Sequence, residues 1–262
     1  MSAVTRQPTS PADREKALQA LVSCPTFSIH VNNRNSGELA AATNAMPISV
    51  EGCPNVFVCG YTSEDSFGAT SYLVLRDGGN ILIDSPRFSP VLLKRIKAMG
   101  GARYMWLSHK DDVCDHAKWA EALGCTRIIH DTEVTRRQGT TACEVQLEGE
   151  GPWALPDGSD DVEIIHTPGH TEGSLCLLFK PDKALFTGDH LAQSARLGRL
   201  TIFRDVNWYS FEEQLRSVQK LDAIDFLHVF PGHGRQVHLG SAAAKHFDLA
   251  AILEREGLSE HA

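Results

Sequence analysis

Between Ser108 and His116 the chain reads SHKDDVCDH, which places two histidines and three aspartates within eight residues, directly after the apolar run Tyr104, Met105, Trp106 and Leu107. That run reads as a buried strand. A strand ending in so many imidazole and carboxylate groups constrains the fold strongly. Such groups cannot enter a core unpartnered, and a bound metal is the partner that uses them together. Taken alone, the stretch could also be a solvated acidic loop; the rest of the chain argues against that.

Three further loops carry groups of the same kind. The loop TPGHTEGS sets His170 between the strands DVEIIH at 161–166 and SLCLLF at 174–179. The second of these turns at Pro181 and Asp182 and returns as ALFTGD at 184–189, so antiparallel pairing brings Asp189 close to His170. DFLHVF runs into PGHG, which presents His233. Like His109, His233 lies just past the C-terminal end of an apolar strand, the usual place for sites in α/β sheets. Four separate loops therefore present His109, Asp111, Asp112, Asp115 and His116, then His170, Asp189 and His233, a convergence that points to one site.

The elements between these loops fall into an α/β order. Ala12 to Val22 reads as a short helix, and residues 32–52 show no sustained period and read as irregular surface. Strands follow at 56–60 and 69–76, with DGG at 77–79 as a tight turn and NILID at 80–84 as the return. Ser89 to Met99 has an amphipathic helical period closed by two glycines, and after the strand at 103–107 a helix begins at His116 and RIIH at 127–130 is a strand. The second half repeats the order, with helices at 210–221 and 241–256. Two successive units of strand pair, helix and strand imply two facing mixed sheets with outer helices, an αββα sandwich. Residues 1–54 are expected to be an N-terminal extension and residues 55–262 the domain proper.

Composition narrows the function. A chain of 262 residues, 42% hydrophobic, can bury one substantial core, and a net charge of -8 disfavours nucleic acid as a partner. Seven scattered cysteines with no CxxC pair suit reduced thiols in a cytoplasm better than a disulfide framework. No run approaches a membrane span, and the polar opening MSAVTRQPTSP leaves a short organelle transit segment open. The expected partner is a small-molecule substrate, with neither nucleic acid nor membrane.

The set SHKDDVCDH, TPGHTEGS, TGDH and PGHG, in that order, resembles the metallo-β-lactamase-fold hydrolases over roughly residues 55–235. The resemblance implies an αββα sandwich, a one- or two-metal centre at its edge and a metal-bound hydroxide as nucleophile. By residue, it implies His109 and His170 in one metal position, Asp115, His116 and His233 in the other, and Asp189 bridging both. The first motif departs from the family's HxHxDH: the second histidine is missing and two extra residues precede Asp115. Asp111 has the offset of the missing histidine and is the expected replacement. Asp112 is the alternative, because the insertion shifts the register. A carboxylate in place of an imidazole hardens the site, so the metal is zinc or iron, the latter as in the flavodiiron oxygen reductases, which carry a carboxylate there.

The leading reading is a metal-dependent hydrolase of a small ester, thioester, lactone or related compound, with Asp115 and Asp189 as catalytic carboxylates. The alternatives are a non-haem iron redox protein acting on oxygen or a sulfur compound, and a non-catalytic binding protein on the same fold. Asp84, ending a strand, either orients a ligand or caps the strand. His190 is expected to line the pocket or the surface, and Cys114 to pack beneath the loop. The segment 193–209 mixes Arg196, Arg199 and Arg204 with aromatic residues; it could cover the site and clamp an anion, or be a solvated loop.

Overall fold

The computed structural model describes residue 4 and residues 6–257; residues 1–3 and 5 of the opening segment lie outside the described residues. The first helix, α1 (Pro11–Ser23), starts where the Ser10 side chain accepts from the Asp13 amide, with proline in the first turn. Residues 32–52 are not irregular. They form α2 (Ser36–Ala45) and β1 (Ile48–Val50). The Asn35 side chain accepts from the amides of Gly37 and Glu38 and so starts an alanine-rich helix with only Ala42 buried, which explains why no apolar period marks it. β1 pairs antiparallel with β2 (Cys53–Val58), so the division expected at residue 54 falls inside β2, and Val22 and Met46 enter the same core as the strands that follow.

The chain continues through β3 (Tyr72–Val74), β4 (Ile81–Ile83), α3 (Pro90–Ala98), β5 (Tyr104–Trp106), α4 (His116–Leu123), β6 (Thr126–His130) and β7 (Val145–Leu147). These seven strands form one sheet in sequence order, antiparallel up to β4 and parallel from β4 onward. After them come β8 (Val162–His166), β9 (Leu175–Phe179), β10 (Ala184–Gly188), the short hairpin β11 (Ala192–Gln193) and β12 (Leu200–Thr201), α5 (Phe211–Leu221), β13 (His228–Pro231), β14 (Val237–His238) and α6 (Ala242–Glu256). The second sheet has the order β14-β13-β10-β9-β8, with β10 and β13 parallel.

Alternation along the strands decides the layers. Tyr72, Ile81, Ile83 and Trp106 point inward against Leu175, Leu177, Phe179 and Phe186 of the other sheet. Leu73, Leu82 and Met105 point outward onto Leu92 and Ile96 of α3 and Trp119 of α4. On the far side, Cys176, Leu178, Leu185 and Val229 meet Leu215 and Val218 of α5 and Leu249 and Ile252 of α6. Both faces of both sheets are thus covered, giving the αββα sandwich, and each fully buried large apolar side chain contributes about 2 kcal/mol. At the edge where the polar loops gather, the Tyr72 hydroxyl donates to the Pro231 carbonyl at 2.7 Å, joining the two sheets two residues before His233.

Candidate metal centre

The first sheet delivers His109 with the aspartates that follow it, and the second delivers His170, Asp189 and His233. β5 ends three residues before His109, and β13 ends two residues before His233; β8 leads to His170, and β10 leads directly to Asp189. The Ser108 amide donates to Asp84 Oδ1 at 2.7 Å, and Ser108 Oγ lies 2.9 Å from His109 Nδ1, so Asp84 and Ser108 together fix the imidazole with Nε2 turned inward. The His109 and His170 rings sit edge to face at 4.8 Å, with their Nε2 atoms 3.9 and 3.7 Å from Asp189 Oδ2. Asp189 Oδ1 meets His233 Nδ1 at 2.7 Å, while His233 Nε2 faces the Phe67 carbonyl at 3.2 Å.

Lys110 to Asp112 forms a single 3-10 turn. With three residues per turn, neighbouring side chains fan out by about 120°, and the two consecutive carboxylates take separate places. Donor atoms of His109, Asp111 and His170 all lie within 4.8 Å of one another, and so do those of His109, Asp112 and Asp189. Two glycines permit this closeness. A Cβ on Gly232 would stand 2.7 Å from Asp112 Oδ2 and 3.2 Å from Asp189 Oδ1, and one on Gly188, which has φ +48°, would stand 2.6 Å from the Ser108 side chain.

The electrostatics carry the mark of a cation site. Burial, with Asp189 and Asp84 close by, pushes the Asp112 carboxyl well above its ordinary range. Burial likewise lifts Asp84 to about 6 against the opposing Ser108 amide. Asp189 goes the other way. Against the cost of its burial, the hydrogen bond with His233 and the nearby His109 hold it at about 2. Burial and His109 lower His170 to about 4. Both Asp112 carboxylate oxygens, both His170 ring nitrogens and His109 Nε2 are buried without any hydrogen-bond partner. Left so, each costs about 1–3 kcal/mol, and more where charged. Imidazole nitrogens and carboxylate oxygens converging on one point fit a metal ion.

Comparison with known proteins agrees with this geometry. Residues 54–251 match the family model of the metallo-beta-lactamase superfamily. The chain belongs to that superfamily. A hydroxyacylglutathione hydrolase from Rhizobium etli is 28% identical over 142 residues, 52% of this chain and 51% of the relative, so the chain spans about half the length of that curated relative. The DIM-1 metallo-beta-lactamase has the same fold, with a TM-score of 0.57 and 17% identity, covering 78% of this chain and 95% of that one. A further solved structure, of a protein in a di-iron-bound form, superposes with a TM-score of 0.50 at 24% identity, covering 67% of this chain and 92% of that one.

Within the superfamily, this chain's first motif is folded differently from what its letters imply. Asp115 and His116 are not brought to the cluster. Asp115 Oδ2 accepts from the Phe88 amide at 2.7 Å and Oδ1 pairs with Lys118 at 2.6 Å. His116 Nε2 lies 2.9 Å from the Gln138 carbonyl and Nδ1 3.3 Å from Arg127. The two inserted residues lengthen the turn, and the Asp-His pair is carried past the site onto the start of α4. Asp111 and Asp112 both reach the cluster, so the choice between them dissolves.

Other residues also fall into place. His190 is fully buried, with both ring nitrogens unpartnered, and burial lowers its pKa to about 3. Sequence reasoning missed Glu133. It is wholly buried and accepts from the Lys110 amide at 2.9 Å and the Gly173 amide at 2.8 Å, tying the His109 loop to the His170 loop. A charged residue three positions past the apolar strand β6 was the available signal. A model for the 4Fe-4S single cluster domain of ferredoxin I matches residues 1–31. Cys24 is the only thiol in that stretch, and a four-iron cluster takes four thiolates, so these residues do not fit one.

Proposed function

We propose that the protein is a metal-dependent hydrolase of a small ester, thioester or lactone. In this reading His109, Asp111 and His170 hold one ion, Asp112 and His233 hold a second, and Asp189 serves both. The observation that carries it is the convergence of buried, unpartnered donor atoms on His109, Asp112 and His170. When bound, such ions acidify a water molecule and polarise the carbonyl to be attacked.

The chain's own residues do the remaining work. Asp84 and Ser108 hold the His109 ring, and the Phe67 carbonyl holds His233 through Nε2. A cavity of about 760 Å³ opens onto His170, Asp189 and His233, and its walls are largely apolar. Asp111, on the wall of that cavity, takes the proton role expected of Asp115, whose oxygens are committed to Phe88 and Lys118.

Three carboxylates and three imidazoles without a thiolate make a harder set than an all-histidine zinc site, which favours iron or manganese. The relative solved in a di-iron-bound form supports the same choice. All seven cysteines are free, which supports a reducing, cytoplasmic setting. Among the described residues, no helix is long and apolar enough to cross a membrane. The test is elemental analysis of protein expressed without added metal, followed by ester and thioester hydrolysis assays. Two metal equivalents and turnover abolished by a chelator are expected. Protein without bound metal would sink the reading, and oxygen consumption without hydrolysis would replace it with the iron redox alternative.

A further inference from the structure

The strap between Asp189 and α5 covers the site, but not as an anion clamp. Arg204 turns away from the cavity: its guanidinium lies 3.7 Å from the Phe211 ring centroid and 3.3 Å from Glu256 of α6. Arg199 lies over Phe247 of α6, and Arg196 and Arg199 border a separate cavity with Glu254 and Arg255. What the strap turns inward is Phe203, Val206 and Trp208, facing Phe67 from the opposite loop. Trp208 is 66% exposed and Phe67 78% exposed, although both stand at the mouth of this cavity. The strap is anchored where it matters, for the Trp208 amide donates to the His170 carbonyl at 2.8 Å.

Charge reinforces the point. Lys110 is the only lysine or arginine on the cavity wall among the described residues, and its ammonium is 3.7 Å from the buried Glu133 carboxylate. The opposite wall and floor carry Asp111 and Asp189. Away from the metal position, an anionic substrate tail would find no unpaired lysine or arginine on these walls, whereas an apolar one would cover the exposed Phe67, Val206 and Trp208 and the half-buried Phe203.

We infer that the substrate is a neutral, apolar acyl or aryl ester, thioester or lactone whose hydrophobic group lies between Phe67 and the strap residues Phe203, Val206 and Trp208. This rests on the hydrolase reading for its chemistry and on the cavity walls for its specificity. In the reaction, water adds to the acyl carbonyl, the carbonyl–oxygen or carbonyl–sulfur bond breaks, and the leaving alcohol or thiol takes up a proton.

The experiment compares 4-nitrophenyl acetate, butyrate and hexanoate with mono-4-nitrophenyl adipate, which matches hexanoate in length and adds one carboxylate, on the metal-loaded full chain. The kcat/KM is expected to rise two- to fourfold per methylene, about the value of one buried CH₂, and the adipate to fall at least tenfold below hexanoate. Trp208→Ala should shrink the hexanoate-to-acetate ratio. A flat length dependence, or adipate equal to hexanoate, overturns the inference while leaving a hydrolase. If no ester, thioester or lactone is cleaved, the hydrolase reading fails separately. Calorimetric binding then decides the pocket: hexanamide tighter than adipamic acid supports it, and the reverse or equality overturns it.

Discussion

Asp112 is the residue whose role the fold changes most. In the linear motif it is only the alternative to the better-placed Asp111, yet its carboxylate is buried, unpartnered and raised in pKa beside Asp189. A buried carboxylate in that state destabilises the chain unless a cation compensates it. Asp112→Asn is therefore expected to lower bound metal from two equivalents to one and kcat/KM by at least a hundredfold, of the order seen when a metal site's ligand sphere is disturbed. Asp115→Asn is the contrast. It keeps the metal content and weakens only the bond with Phe88 and the exposed pair with Lys118, costing about 1 kcal/mol in a urea titration. Equal metal loss in both variants would restore the linear reading of the motif. His109, Asp111, His170, Asp189 and His233 were legible because strand ends fix where they emerge. The path after His109 was not, because one inserted turn changes which of two adjacent aspartates faces inward and no apolar period records that.

Among the elements, the strands and the longer helices could be read from their periods, while α2, β1 and β7 could not. α2 depends on a cap and on alanine, and β1 and β7 are only three residues long. The 3-10 turn after β6 was equally hidden, and it supplies Glu133. This carboxylate accepts one amide from each of two ligand-bearing loops, and against the cost of its burial those amides lower its pKa. Glu133→Ala leaves both amides without their acceptor in a closed interior. About 3 kcal/mol of stability should be lost, and metal affinity should drop ten- to a hundredfold, as for other residues that orient metal ligands. Parallel urea and metal titrations check both. Unchanged affinity with lowered stability would confine Glu133 to the scaffold.

Across the whole molecule the two sheets are joined at opposite ends by different means. At the site end the join is the histidine and aspartate cluster itself, with His109 on one sheet and His170, Asp189 and His233 on the other, so if the cluster holds metal as proposed, chelation should lower the melting temperature as well as activity. Occupancy at a thousand times Kd would be worth about 4 kcal/mol. A melting temperature indifferent to chelator would separate the cluster from the fold. At the far end, Arg76 just past β3 reaches Asp157 at 3.1 Å and Asp161 at 2.9 Å before β8, with its own side chain 1% exposed. Asn55 adds two bonds to Asp182 at the β9–β10 turn. This clamp has a pH signature. Against the cost of burial, hydrogen bonds from Ser159 and Arg76 hold Asp157 at about 2, below its ordinary 3.8. The unfolded chain therefore takes up the proton near 3.8 and the folded chain only near 2, so the contribution is complete above the first value and disappears as pH falls towards the second. Arg76→Met should cost about 2 kcal/mol above pH 4, the worth of a charged hydrogen bond. The gap from the unaltered protein should narrow between pH 4 and pH 2 in urea titrations, because the variant keeps only the Ser159 part of this contribution and the unaltered protein loses the Arg76 part as well. A gap constant down to pH 2 would mean that Arg76 stabilises by packing its stem between the sheets and not by its charge.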